Sequence, residues 1–440
     1  MLSEALVQAG GRVRMDMIHK DNSIDAFANA WKDAPLRCLP LTTWANTNTL
    51  LEVCHQVPSG SKAQLWSQWD CRKDFIMGLK VGVVGLGGIG NTHADCHVND
   101  SLSELVAVCD VVKEKADATA EKHGVKAYYS LKDMLANEDL DVVDVTTGGY
   151  ENGSWHFEPT MEALEAGKNV LCEKPLSNNI EEAREMVRFA ASKRLSLGCN
   201  LNHYFTPPAE KAKKYMDDGM IGETIHMLFK MGFNGGEETY GFNKSPRFNQ
   251  PYAHMKAFLT HPFSVMRYFC GDIKDVQTFT TKPGFRKNKG DLLLSVNSVH
   301  VRFADDTVGY LLSHRGDAMW GLGGWWSCEV GGSKGTFCIE NCIEKVTYWA
   351  GPKPDTAQAE PEVFNTGITD FGQTFPNRIH AFLEDVTNNV HYEHIRASGR
   401  DALATLEYIW AAIESYETDG AVVRPKPLPA IHGDPAHEQI

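Results

Sequence analysis

The sequence has no C-x-x-C pair, no basic excess and no long apolar run, and each absence narrows the field. Its eleven cysteines are odd in number and scattered, so neither a structural zinc site nor a disulfide framework is expected. They fit a reducing compartment, and Cys109, Cys172 and Cys199 fall in apolar runs where a thiol behaves as a small hydrophobe. No stretch approaches the roughly 20 apolar residues that span a bilayer. The amino-terminal residues also lack the basic-then-apolar pattern of a secretory signal. A formal charge of −14 and a pI near 5.6 argue against nucleic acid and anionic membranes, which favour a basic face. Internal repeats and low-complexity tracts are missing too. The expectation is a cytoplasmic protein without a metal, whose 440 residues suffice for two cores.

What is present centres on one short stretch. Lys80-Val81-Gly82-Val83-Val84 reads as a buried strand running into Gly85-Leu86-Gly87-Gly88-Ile89-Gly90, and a helix is predicted over 88–98. Gly85, Gly87 and Gly90 have G-x-G-x-x-G spacing. Gly85 allows the tight turn, Gly87 lets backbone approach a pyrophosphate, and Gly90 lets helix and strand pack closely. The helix N-terminus offers free amides to phosphates. Asp110 follows about twenty residues later, at the end of the apolar run Leu105-Val106-Ala107-Val108-Cys109, where a carboxylate suits a ribose diol. It would repel the additional phosphate of NADP, so NAD is the expected cofactor, although Lys113 stands nearby.

Strand and helix signals then alternate. Helices are predicted over 113–123, 159–166 and 179–193, and strands over 127–129, 142–146, 169–172 and 195–199. Ser130-Leu131-Lys132-Asp133 is a capping signal for a further short helix. This pattern implies a doubly wound parallel sheet, with Thr146-Thr147, Glu173-Lys174 and Asn200 to Asn202 converging on the glycine turn. After Pro208 the pattern changes to a helix over 209–217 and strands over 224–233, 275–281, 295–303, 308–314, 326–330, 335–340 and 344–348. The pairs Asp305-Asp306 and Gly331-Gly332 read as hairpin turns. One long helix over 253–269 and two more over 376–387 and 399–416 precede a proline-rich tail from Pro425. The expected fold is an α/β Rossmann domain over 79–203 and an α+β domain with a large, mainly antiparallel open sheet over 204–421, then a tail over 422–440. Residues 1–78 form an extension with helical candidates at 24–31 and 47–57. Its tryptophans could anchor it to the body, or it could be a leader before a start at Met77.

Four features together resemble the glucose-fructose oxidoreductase, inositol dehydrogenase and rhizopine catabolism (Gfo/Idh/MocA) family over roughly residues 79–420. They are Gly85–Gly90, Asp110, the run from Ala163 through Glu173-Lys174-Pro175-Leu176, and Asn202-His203-Tyr204-Phe205-Thr206-Pro207. The resemblance implies a nicotinamide cofactor and hydride transfer at a ring hydroxyl or ketone of a sugar, cyclitol or glycoside. It also implies a homo-oligomer formed through the second sheet. Lys174 would bond the substrate hydroxyl and stabilise alkoxide character. His261, in Leu259 to Gly271, resembles the family's active-site histidine and would exchange the hydroxyl proton. Many members carry an aspartate four residues earlier; this chain has Ala257, and Ser264 stands where an acidic residue is frequent. His254 or Lys256 could assist instead. Beside Gly85, Gly87, Gly88, Ile89, Gly90 and Asp110, the cofactor set comprises Thr146, Thr147, His156, Glu173, Lys174 and Asn202. The segment 148–155 is a candidate cover. Substrate candidates are Tyr204, Arg247, Tyr252, His254, His314, Trp320, Trp325 and Trp326; tryptophan faces pack well on carbohydrate C–H surfaces. Two other readings stay open: a redox-neutral reaction such as glycoside cleavage or epimerisation with recycled NAD, and a cofactor-binding regulator without catalysis.

Overall fold

A computed structural model describes residues 78–148, 155–233, 252–281, 296–315, 324–351 and 360–429. The expected helices at 24–31 and 47–57, most of the 148–155 cover, Arg247, Trp320 and the end of the tail lie outside the described residues.

Six parallel strands form the first sheet: β1 Leu79–Val84, β2 Ser103–Cys109, β3 Lys126–Tyr128, β4 Val142–Val145, β5 Asn169–Cys172 and β6 Leu197–Cys199, in the order β3-β2-β1-β4-β5-β6. Their apolar runs are continuous because helices cover both faces; all four residues of β4 are buried. The helices are α1 Gly88–Asn99, α2 Lys113–His123, α3 Leu131–Asn137, α4 Phe157–Glu165 and α5 Ile180–Lys193. Ser130 Oγ accepts the Asp133 amide at 3.1 Å and Asn179 Oδ1 that of Glu181 at 3.0 Å, so both helix starts are capped as their sequences imply. Strand order reverses between β1 and β4. In open α/β sheets ligands bind at that switch, beyond the carboxyl ends of the strands.

The second sheet has eight strands in the order β14-β13-β12-β11-β7-β10-β9-β8. They are β7 Thr224–Phe233, β8 Ile273–Thr281, β9 Val296–Phe303, β10 Val308–Arg315, β11 Trp326–Gly332, β12 Gly335–Glu340, β13 Lys345–Ala350 and β14 Glu362–Asn365. Every pairing is antiparallel except β7 with β10. Alternation is clear on β7, where Met227, Phe229 and Met231 are buried while Leu228 is exposed. The inner face is covered by α8 Thr260–Cys270 and α10 Gly399–Glu417. Helix α10 and α9 Phe375–Thr387 also reach the first sheet's layer. Arg184 on α5 grips Glu407 on α10 with two bonds of 2.7 Å. Buried Arg378 on α9 donates to the carbonyls of Cys199 at 2.9 Å and Ala397 at 3.1 Å.

Three expectations are corrected. The helix predicted over 253–269 is two, α7 Ala253–Phe258 and α8, because Pro262 has no amide for the Phe258 carbonyl and its ring would collide there. Leu259 joins them, and Pro262 lies in the first turn of α8, where proline is tolerated. Gly331 and Gly332 lie inside β11, and the hairpin turns at Ser333-Lys334. A Cβ on Gly332 would stand 2.3 Å from the Ile221 carbonyl oxygen, so close strand approach explains this glycine. The edge strand β14 was not expected; it is four residues long and mostly exposed, with no apolar alternation to reveal it. Helix α6 Pro207–Asp217 begins at Thr206, whose hydroxyl caps it. No helix among the described residues is long and apolar enough to cross a membrane.

Candidate active site

The glycine turn follows β1 directly. Gly85 has φ +95°, and a Cβ there would lie 2.6 Å from the Thr147 amide nitrogen. At Gly90 a Cβ would be 1.9 Å from the Gly85 carbonyl oxygen, so α1 and β1 can meet only through glycine. Around Gly87 and Gly88, by contrast, nothing lies within 4 Å of a built Cβ. Helix α1 has no side-chain cap and no acidic residue in its first turn, leaving amides for an anion. Open space over the second glycine, above uncapped amides, fits a dinucleotide pyrophosphate. Asp110 braces the turn, accepting the Leu86 amide at 2.7 Å and the Val112 amide at 2.8 Å. Thr146 Oγ1 reaches the Gly85 carbonyl at 2.7 Å, and Thr147 Oγ1 donates to the Trp155 carbonyl at 2.7 Å. Ile89 is exposed beside them.

The Glu173-Lys174-Pro175 segment leaves the end of β5 next to this turn. Glu173, expected at the cofactor, is buried and braced by its neighbours. Oε1 meets His93 Nε2 at 3.2 Å and accepts the Asn200 amide, while Oε2 accepts the Lys174 backbone amide at 3.1 Å. Both oxygens thus have partners within the protein, and Oε2, with a single bond, keeps a lone pair. His156 is likewise engaged: it is buried and donates from Nδ1 to the Pro175 carbonyl at 2.7 Å, so it holds the lysine turn. Asn202 is buried and donates to Thr374 Oγ1 at 2.6 Å. Lys174 extends beyond this frame, its Nζ 5.6 Å from the centre of the Phe258 ring.

Beneath the turn lies a buried polar cluster not anticipated from sequence. Asp144 on β4 accepts from His93 Nδ1 and His97 Nε2, each at 2.8 Å, and His93 continues to Glu173. Burial opposes charge on His93, but Asp144 and Glu173 outweigh it and push its pKa up to about 10. Burial likewise opposes charge on Asp144, and the two histidines hold it well below the usual carboxylate range.

His261 on α8 is buried and stacks on His203, with ring centroids 3.6 Å apart and planes 2° from parallel. Burial drives both imidazoles well below their ordinary pKa, and the Lys174 charge adds to the effect. Both rings are neutral at pH 7. Ala257, in the position of the absent aspartate, is buried on α7 and brings no carboxylate. Ser264 Oγ bonds the His261 carbonyl at 2.7 Å, and Lys256 lies over Trp410 at 4.8 Å.

The substrate set divides. Trp325 stands edge-on to His203 at 6.5 Å and to Phe371 at 5.8 Å, forming part of the wall beside the pair. His254 is buried, 2.9 Å from Ser313 Oγ, with its ring 5.4 Å from Phe258. Trp326 is fully buried behind His203, to whose Nδ1 its indole N–H donates at 3.1 Å. Tyr204 is a core residue stacked on Tyr268 at 4.6 Å, since its short 3-10 turn faces inward. Tyr252 donates to Glu417 at 2.7 Å, on the end of α10. His314 packs against Gly232 and falls on the sheet face opposite Ser313 because strand residues alternate. Sequence reasoning quoted His203 within a motif but gave it no role, and it missed Phe258 and Phe371. The i, i+4 spacing of His93 and His97 was a usable signal for the buried cluster.

A glycine turn suited to a dinucleotide at the switch point of a doubly wound sheet, joined to a second, mainly antiparallel sheet, defines a two-domain fold with a Rossmann-type nucleotide site. Residues 79–201 match the Gfo/Idh/MocA family model, described as oxidoreductase family, NAD-binding Rossmann fold. It is 32% identical over 154 residues to the inositol 2-dehydrogenase/D-chiro-inositol 3-dehydrogenase of Lactiplantibacillus plantarum, covering 34% of this chain and 42% of that protein. That match thus spans less than half of the relative. With the inositol 2-dehydrogenase of Rhizobium meliloti, identity is 26% over 345 residues, covering 77% of this chain and 97% of the relative. The fold is shared with a levoglucosan dehydrogenase solved with NADH and levoglucosan: TM-score 0.69, 19% identity, covering 80% of this chain and 100% of that one.

Proposed function

We propose that this protein is an NAD-dependent dehydrogenase that oxidises a secondary ring hydroxyl of a cyclitol or sugar, with Lys174 and His261 handling the proton. The observation that carries the reading is the neutral, buried His261 within the field of Lys174, beyond the strand ends that hold the glycine turn. Nicotinamide, when bound, supplies the hydride acceptor. The Lys174 ammonium bonds the substrate oxygen and stabilises negative charge as it develops. His261, uncharged beforehand, takes the hydroxyl proton as that charge builds. Trp325 and Phe371 offer apolar edges to the ring's C–H surface. The relatives' names, inositol and levoglucosan dehydrogenases, support a cyclic polyol as substrate. The test is NADH formation with NAD and a panel of inositols, hexoses and glycosides; no turnover of any member, with NAD bound, removes the reading.

Asp110 belongs to the same proposal as the ribose ligand. Each of its oxygens holds one backbone amide and retains a lone pair for a hydroxyl. Asp110→Ala is expected to weaken NAD about 10- to 100-fold, the worth of a charged hydrogen bond. It should also narrow the preference for NAD over NADP, because the carboxylate no longer repels a 2′-phosphate. Fluorescence titration with both coenzymes reads this, and an unchanged ratio would count against the assignment.

A further inference from the structure

The indole of Trp326 can only donate, so the 3.1 Å contact makes His203 Nδ1 the acceptor and places the ring proton on Nε2. That Nε2–H is buried and has no partner among the described residues. A buried N–H left unmade is costly, and native proteins seldom keep one without a use. The ring cannot turn over to satisfy it, because a flip within its plane would replace Nδ1 with a carbon and forfeit the indole bond. Trp325 and Phe371 close on it edgewise, at 6.5 and 5.4 Å.

We propose that His203 is a substrate-contacting hydrogen-bond donor, held in its Nε2–H tautomer by Trp326. This rests on the dehydrogenase reading above. The stack holds the two imidazoles face to face, with ring centroids 3.6 Å apart, so that two neighbouring oxygens of one substrate can be met by one ring each. His261 accepts the proton of the reacting hydroxyl while His203 donates to the oxygen beside it. The pair therefore selects substrates with an acceptor oxygen on the neighbouring carbon, and it stands where an aspartate–histidine relay would otherwise be. Lys174 and His261 are the ionisable groups in the field of His203, and neither favours its protonation.

The experiment compares His203→Phe, which keeps a flat ring without a donor, with His203→Gln, which restores an N–H. For a polyol that the wild type turns over, His203→Phe should lower kcat/KM about 10- to 100-fold, chiefly through KM, with NAD affinity unchanged. His203→Gln should recover part of the loss. Imidazole 15N spectra of the full chain should show His203 as the neutral Nε2–H tautomer from pH 5 to 9, and Trp326→Phe should mix the tautomers. Unchanged kcat/KM in His203→Phe, or an ordinary His203 titration, would overturn the proposal. Should the wild type oxidise no polyol, the dehydrogenase reading fails by itself. His203 is then judged by calorimetric binding of myo-inositol to the NADH-loaded protein. Weaker binding to His203→Phe supports its role, and equal or absent binding overturns it.

Discussion

Lys174→Met is expected to lower kcat/KM for the polyol substrate by about 10³-fold while leaving NAD affinity within a few-fold of wild type. Methionine keeps the length of the stem and its contact with Phe258 but removes the charge. The backbone should not follow, because Glu173 holds the Lys174 amide and His156 holds the Pro175 carbonyl, and neither bond uses the ammonium. A second effect separates electrostatics from packing. The Lys174 charge is one cause of the depressed pKa values of His203 and His261. Its loss moves both upward, so the acid limb of the residual activity should shift to higher pH. Lys174→Arg retains charge but brings a larger, planar fork, and it should restore the pH limb better than the rate. Steady-state kinetics from pH 5 to 9 would decide; a methionine variant with more than a tenth of wild-type activity would exclude Lys174 from the chemistry.

The first sheet and its glycine turn are legible in the chain because physical constraint there is local. Parallel strands covered on both faces are apolar along most of their length, as Val81–Val84 of β1 is, and the positions of Gly85 and Gly90 tolerate no side chain. Lys174 is legible through its motif. The other half of the site depends on parity and distance. Trp325 and Trp326 look equivalent in sequence, yet Trp325 lies in the turn before β11 and stands partly exposed against Phe371, while Trp326 opens the strand and is fully buried. On β10 parity does separate neighbours: Ser313 meets His254 and His314 lies on the other face. The meaning of His203 lies in a contact with Trp326, 123 residues away, which no local pattern carries. Asp144 was hidden differently: within Val142-Val143-Asp144-Val145 it interrupts an apolar run, and only the two histidines of α1 explain why a carboxylate can be buried there.

That cluster supports the most severe stability prediction. Asp144→Asn is expected to destabilise the protein by about 3–5 kcal/mol at pH 6, because it strips the counter-charge from buried His93 and the carboxylate acceptor from His97. The pH dependence has a definite sign. His93 rises from an ordinary 6.5 to about 10 in the folded chain, so its contribution is complete below pH 6.5 and is lost as pH climbs through 10. Asp144 is held below its ordinary 3.8, so its contribution is present above that pH and is lost as the pH falls through the lower folded value. Both act fully between about pH 4 and 6.5. The gap between wild type and Asp144→Asn should therefore be widest there and narrow toward pH 10, where wild-type His93 has already lost much of its advantage. Denaturant midpoints and slopes at pH 6 and 10 measure this. Parallel losses at both values would mean that packing rather than the ion cluster sets the cost. The same variant loosens the tie from α1 through His93 to Glu173, so NAD affinity and the Lys174-dependent rate should fall together. A loss of stability with both intact would confine the cluster to holding the fold.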